Sequence, residues 1–276
     1  MFETFEPKNS FLKQWIDYIF HYSSDDPNFE RLLIIFPNVG SAVTFYFDLE
    51  FCGLSTQKFV SEEKKGHNGV VLHINRIEPI EIIERGRQER ITVVFKTLGI
   101  NHFISASLDE VGKNQNPTAI NISSEDKRYK DLLQILNSLS SICERIDAIE
   151  DFFVSIYKNF EDPLLVNIIE HINSLQTLTT IATHAATSTK TIDRLFKKHI
   201  GLTPVEFRRI LKFRISLRSK LSDRNQSLEN LAFETDYSDL SYMMKVYRKF
   251  TGQTAKTFFD RLSVSANGKY LYQEIY

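Results

Sequence analysis

Cysteine is almost absent from this chain. Cys52 and Cys143 are too few for a disulfide framework, and their separation fits no zinc-ligand spacing. Both are expected to be reduced thiols. Long apolar runs are missing as well. The stretch Leu32-Leu33-Ile34-Ile35-Phe36 falls far short of a bilayer span. The start carries acids and aromatics (Phe2, Glu3, Phe5, Glu6) where a signal peptide has cations and an apolar run. A cytoplasmic protein with no membrane partner is therefore expected.

Signatures of catalysis are lacking too. Gly66 to Gly69 has no following helix and no Lys-Ser/Thr, so it is not a phosphate-cradling loop. There is no G-x-S-x-G elbow and no Ser/His/Asp grouping. His67 and His73 lie six apart without an H-x-H pair or a carboxylate at ligand spacing, and His102 simply follows a Gly-Ile-Asn turn. These are read as ordinary surface or core histidines. The expectation is no enzyme, no metal and no cofactor.

What is present is the composition of an ordinary globular protein. Of 276 residues, 42% are hydrophobic and 25% charged, and the length favours two domains. The net charge of −1 hides an asymmetry: residues 162–276 hold 17 Lys+Arg against 11 Asp+Glu, leaving 17 against 24 for residues 1–161. A basic C-terminal half suits a polyanionic partner, and the acidic half does not.

That basic half nearly repeats itself. Leu195-Phe196-Lys197-Lys198, Gly201-Leu202-Thr203-Pro204 and Phe207 are echoed by Val246-Tyr247-Arg248-Lys249, Gly252-Gln253-Thr254-Ala255 and Phe258. Upstream, Ile181-Ala182 with Ser188 is echoed by Leu231-Ala232 with Ser238, and the offset is 50 residues before each Ser and 51 after it. Each unit, about 176–201 and 227–252, has the size and punctuation of a helix-turn-helix.

In the first unit Leu178, Ile181 and Ala182 give a short helix an apolar seam, and Thr187-Ser188 offers hydroxyls to cap a second helix. In that helix Ile192, Leu195 and Phe196 face inward. Outside remain Thr189, Lys190, Thr191, Asp193, Arg194, Lys197 and Lys198, a polar and mostly cationic face suited to the major groove. Gly201 stops the helix, and Thr203-Pro204 opens the next. That next helix, Pro204–Leu221, joins the units, with Arg208, Arg209, Lys212, Arg214, Arg218 and Lys220 on its outer face near the DNA backbone.

Residues 1–121 read mainly as strands: Arg31–Phe36, Ala42–Phe47, Gly69–Ile74, Ile80–Glu84, Ile91–Phe95 and Phe103–Ala106, with turn chemistry between them. Leu12–Tyr22 reads as a short lead-in helix. A β sandwich or barrel is expected. Between 124 and 160 the period becomes helical, starting at Ser123-Ser124-Glu125-Asp126. The resulting pair of helices either links domains or subunits, or packs on the sheet. Asp162-Pro163 starts the following helix.

The tandem unit resembles the DNA-binding domain of the AraC/XylS family of bacterial transcription regulators. The matching residues are Ile181-Ala182, Ser188 through Lys198, Gly201 through Pro204, Leu231-Ala232, Tyr237-Ser238-Asp239, Tyr242, Val246 through Lys249, Gly252 and Thr254. The likeness covers roughly 162–262. It implies that Thr189, Lys190, Asp193 and Arg194 face bases in unit one. In unit two the same positions are Leu240, Ser241 and Lys245, so unit one should discriminate sequence, while Lys245, Arg248 and Lys249 hold the backbone.

Asp236 stands where the family has glycine, Ala255 where proline is usual and Phe259 where a basic residue is common. Phe36-Pro37-Asn38 with Gly40-Ser41, and Glu89–Lys96 with Leu98–Phe103, resemble a regulatory domain that often precedes this one. A cupin-like effector barrel occupies that place in several relatives.

The reading is thus an α+β chain. Residues 1–160 form a sensor domain (β-rich 1–121, helices 124–160), 162–262 a tandem helix-turn-helix domain and 263–276 a tail. It binds double-stranded DNA, and the first domain senses a small molecule or pairs two copies. The alternative is a ligand-binding or interaction protein whose DNA domain has weakened.

Overall fold

The computed structural model describes residues 1–111, 119–123, 126–174, 176–265 and 270–275. Its first half, joined by two strands of the C-terminal tail, makes two six-stranded sheets facing each other. The first has the order β1 (Phe2–Phe5), β2 (Ile16–Ser24), β9 (Gln88–Phe95), β4 (Ala42–Tyr46), β7 (Gly69–His73) and β10 (Ala119–Asn121). The second runs β11 (Ser263–Ser265), β12 (Tyr270–Ile275), β3 (Glu30–Ile35), β8 (Ile80–Arg85), β6 (Lys58–Glu63) and β5 (Leu49–Gly53). The pairing is antiparallel except between β6 and β8. The sheets do not close, so of the two expected architectures the sandwich forms and the barrel does not.

Strand alternation divides the first sheet into two faces. Val43 and Phe45 of β4, with Ile91, Val93 and Phe95 of β9, point outward into a core shared with two helices. These helices are α2 (Lys127–Ser138) and α3 (Ile142–Ser155), and they bring Leu132, Leu136, Ile146, Ile149 and Phe153. Asp126 caps α2 through Arg128 N, and Ser141 with Glu144 forms a capping box on α3. The pair packs on the sheet, one of the two roles open for it. The predicted helix start at Ser124-Glu125 lies outside the described residues.

Leu12–Tyr22 is not a helix. A single 3-10 turn, Leu12–Gln14, leads into β2. The helix-like spacing has a specific origin: a bulge between Ile16 and Tyr18 turns both Ile16 and Ile19 toward the same core. Phe103–Ala106 is not a strand either, because Gly99–His102 forms a 3-10 turn entered through Leu98 at φ 64°. The strands β1, β5, β6 and β10 were not expected. Glu50, Cys52, Ser61 and Glu62 give β5 and β6 no continuous apolar run.

The inner faces are tied at one end by a buried ionic cluster. Glu84 on β8, fully buried, accepts from Arg31 Nε at 2.5 Å and from Arg90, which reaches across from the first sheet. Beside it Ser61 donates to Gln88 Oε1 at 2.8 Å, again between sheets. Tyr22 lies under both guanidinium groups, each 4.4 Å from its ring centre.

The chain then becomes helical: α1 (Leu108–Val111), α4 (Pro163–Asn173), α5 (Leu178–His184), α6 (Thr189–Ile200), α7 (Pro204–Ser222), α8 (Leu228–Glu234), α9 (Leu240–Thr251) and α10 (Ala255–Arg261). The core of α4 to α10 also takes in Ile34 and Phe36 from the sandwich, with the Phe36 ring edge-on to Phe258 at 4.8 Å. The tail strand β12 pairs with β3, returning the chain to the second sheet.

Removing Glu84 takes a shared buried carboxylate away from two guanidinium groups, so Glu84→Ala should destabilise the fold by about 3–5 kcal/mol in urea unfolding. A loss below about 1 kcal/mol would show that the cluster adds little.

Candidate nucleic-acid interface

Each repeat is a short helix, a left-handed turn and a reading helix. In unit one α5 is capped by Thr177, whose Oγ1 accepts from Thr180 N, and the turn passes through Ala186 at φ 47°. Ser188 Oγ then accepts from Thr191 N at 3.1 Å and opens α6. Ile192, Phe196 and Ile200 are buried, while Thr189, Lys190, Asp193, Arg194, Lys197 and Lys198 are exposed and Thr191 is half-buried. Gly201 at φ +78° ends the helix, a conformation that glycine adopts without cost. The expected outer face is thus assembled on one side of one helix.

Unit two repeats this with one difference. Its left-handed turn is at Asp236, φ 58°, 50 residues after Ala186. The cap of α9, however, is Asp239, 51 residues after Ser188, with Oδ1 accepting from Tyr242 N at 2.7 Å. One residue is inserted between turn and cap. Ser238, the residue that echoes Ser188 in sequence, only donates its hydroxyl to Asp239 at 3.0 Å. Bonding to the backbone of Tyr242, and next to Ser238, holds the Asp239 carboxyl below the usual range.

Non-glycine residues pay strain in the left-handed region. At Asp236 the turn is tied by Lys212 of α7, whose Nζ donates to the Asp236 carbonyl oxygen and, at 2.6 Å, to its carboxylate. On α9, Ser241, Lys245, Arg248 and Lys249 are exposed, whereas Leu240 is half-buried against the core. Ala255, where proline is usual, sits fully buried at the start of α10 behind the Thr254 cap. Phe259 packs on Tyr247 at 5.5 Å.

The helix α7 lies between the units. Phe207 meets Phe196 of unit one edge-on at 5.5 Å, and Phe213 meets Tyr247 and Phe250 of unit two at 5.1 and 5.4 Å. Its 19 residues span about 28 Å at 1.5 Å per residue. Arg208 and Arg209 are half-buried on it, and Arg218 is exposed.

The predicted outer face of α7 needs correction at three positions. Arg214 is buried, donating to Pro37 O at 2.7 Å and Phe36 O at 3.0 Å of the sandwich. Burial lowers its pKa to about 10, so it remains charged. Lys212 is committed to Asp236. Lys220 Nζ is committed to the carbonyl oxygens of Arg224 and Gln226.

Two asparagines, read from the sequence only as turn residues, hold the end of α6. Asn75 Nδ2 donates to Ile200 O at 3.0 Å, and Asn101 Nδ2 to His199 O at 2.9 Å. Phe160 adds a ring contact to His199 at 4.9 Å, and α1 packs against α6.

Between the two sheets lies a cavity of about 110 Å³, room for several water-sized groups. Its walls include Tyr18, Phe20, Tyr46, Phe51 and Val94, with His73, Arg76, Arg90 and Arg214 as its charged or titratable members. His73 is enclosed by protein although part of its ring faces the cavity. Desolvation, helped by Arg76 and Arg90, pushes its pKa down to about 3.

Among the described residues no group of His, Cys, Asp or Glu could hold a metal ion, and no helix is long and apolar enough to cross a membrane.

Residues 181–261 match a family model described as a helix-turn-helix domain. No sequence among curated proteins matches the chain. Among solved structures, ToxT from Vibrio cholerae in its P21 form is similar, at 12% identity over 94% of this chain and 98% of that one, with a TM-score of 0.45. A structure of wild-type ToxT from strain SCE256 with an unsaturated fatty acid bound is also similar. It has 12% identity over 94% of each chain and a TM-score of 0.39. Residues 181–261 are a helix-turn-helix domain.

Two outcomes follow from the caps and from the enclosed histidine. Ser188→Ala should cost about 1 kcal/mol, while Ser238→Ala should stay within about 0.5 kcal/mol. Thermal unfolding reads both, and equal losses would contradict the inserted-residue register. His73 binds its proton less readily folded than unfolded, so it contributes no penalty above about pH 6.5 and a growing one as the pH falls toward about 3. The wild type should therefore lose about 1.4 kcal/mol per pH unit more than His73→Leu across that window. Parallel pH profiles would refute it.

Proposed function

We propose that the chain is a DNA-binding transcription regulator of AraC/XylS type, with the helix-turn-helix domain as its reading head. The observation that carries this is the pair of exposed polar faces on α6 and α9, held at equivalent places on the two sides of α7. Residues 162–262 then form the DNA-binding part and residues 1–160 the regulatory part.

In this assignment Lys190 and Arg194 read base edges from unit one, with Thr189 and Asp193 beside them. Arginine and lysine match the acceptors of guanine, and threonine serves several bases. Ser188, Thr191, Lys197 and Lys198 hold phosphates flanking that groove. Unit two reads little, since Leu240 is turned partly into the core and offers at most an apolar contact. Ser241, Lys245, Arg248 and Lys249 hold the backbone there, and Arg208 and Arg209 hold it between the units.

An effector role for the sandwich rests on the inter-sheet cavity. Its apolar walls and guanidinium groups suit a small organic molecule with an anionic end. Arg214 belongs both to the cavity wall and to α7, and Asn75 is adjacent to Arg76, so occupancy of the cavity would bear on both helices that place unit one.

Arg194→Ala should weaken binding to a selected duplex by about 1–3 kcal/mol and relax one base position, while binding to scrambled duplex changes little. Fluorescence anisotropy on both duplexes decides it. Equal loss on both would reassign Arg194 to the backbone.

A further inference from the structure

The 3-10 turn Gly99–His102, all four of its residues buried, faces two ways. Asn101 reaches toward the helical core and donates to His199 O at the end of α6. His102 reaches into the connection between α3 and α4, where its own carbonyl oxygen accepts from Lys158 N at 2.7 Å. The imidazole is clamped between two aromatic rings. Trp15 lies 3.7 Å from it, centre to centre, and Tyr157 lies 5.3 Å away within 7° of parallel.

Two neighbours make opposite demands on the ring nitrogen Nδ1. Phe160 N, 3.2 Å away, can only donate, and Lys158 O, also at 3.2 Å, can only accept. A neutral imidazole can leave Nδ1 bare for the Phe160 amide, whereas an imidazolium carries protons on both nitrogens. Protonation therefore turns two N–H groups toward each other and leaves Nδ1 only Lys158 O as a partner. The Phe160 amide then loses its acceptor in a half-buried place, which is unfavourable. Phe160 passes the change on, since its ring lies 4.9 Å from that of His199, the residue whose carbonyl oxygen Asn101 holds.

We propose that His102 is a proton-operated latch that positions the end of α6 against the sandwich. Neutral, it holds Phe160 through Nδ1, and with Asn101 it fixes both the α3–α4 connection and α6. Protonated, it lets Phe160 go, and the connection and the end of α6 loosen together. The inference goes beyond the duplex-binding reading and does not depend on it.

The surroundings favour the neutral ring. Burial holds the His102 pKa below its ordinary value, and the bond to Lys158 O only partly opposes this. Trp15, Phe103, Tyr157 and Phe160 are the rings that face it. The nearby cations are Lys158, whose Nζ donates to Ser105 Oγ at 2.7 Å, and Lys13 and Lys96 beside Trp15. Among the described residues no carboxylate is ion-paired with His102. His199 is also held below its ordinary value, by burial and then by Lys198, against Asp162 of the α4 cap and Asp109 of α1. A lowered pKa means that the latched state keeps its full advantage above about pH 6.5 and loses it as the pH falls.

Amide hydrogen exchange on the full chain from about pH 8 to about pH 5, corrected for intrinsic rates, reads the latch directly. Protection of residues 157–161 and 197–201 should hold above about pH 6.5 and fall together below it, by up to about tenfold per pH unit for one proton. His102→Asn offers an acceptor oxygen near the place of Nδ1 and takes no proton, so its profile should stay level. His199→Phe keeps a ring against Phe160 and should fall as wild type does. Parallel profiles in wild type and His102→Asn, or no fall in wild type, would overturn the latch, and a level profile in His199→Phe would give the proton to His199 instead. If His102→Asn does not fold, NMR titration of the wild-type imidazole protons decides. The His102 signal must titrate below the ordinary histidine value and in step with the loss of protection, and a loss that follows no His102 titration overturns the proposal.

Discussion

The burial of α7 between the two repeats is the constraint on which the rest depends. Each short unit has one apolar stripe and cannot bury it alone. Phe207 receives the stripe of unit one through Phe196, and Phe213 receives that of unit two through Tyr247 and Phe250. Because both contacts are made by one helix, the separation and relative turn of α6 and α9 are set by the fold. The polar faces of α6 and α9 are what remains once those stripes are buried.

A second consequence concerns the sandwich. Phe36 and Ile34 belong to the helical core, Arg214 spends its charge on two sandwich carbonyl oxygens, and Asn75 and Asn101 take up carbonyl groups at the end of α6. A buried arginine bonded to backbone carbonyls alone keeps its positive charge and is strongly sensitive to its surroundings. The cavity between the sheets shares that arginine in its wall. A reading head tied in this way shares its position with the domain that precedes it, which is the arrangement a ligand-responsive regulator requires.

Much of this was legible in the residues. The repeat announces itself because the same apolar triad, cap and stop must recur wherever the same small unit is built, and Ser188, Gly201 and Thr203 all serve as read. The strands with continuous β-branched runs, such as 91–95 and 42–46, were equally plain. What was hidden has physical causes. A bulge in β2 counterfeits helical spacing at Ile16 and Ile19. The polar strands β5 and β6 have no apolar run to read. Ser238 looks like the cap of α9, yet one inserted residue hands that role to Asp239. Arg214 lies on a basic helix face by periodicity, and only carbonyl oxygens supplied about 180 positions earlier in the chain draw it inside.

The central claim is that two linked units grip successive major grooves of one duplex. Its most direct test is retention of the chain's own genomic fragments by the purified protein across a salt series, followed by sequencing. The account predicts one shared motif of two parts about a helical turn apart, sharper in the part met by unit one, with retention falling steeply as salt rises. Fragments retained without any common motif, or with a single half-site alone, would contradict it.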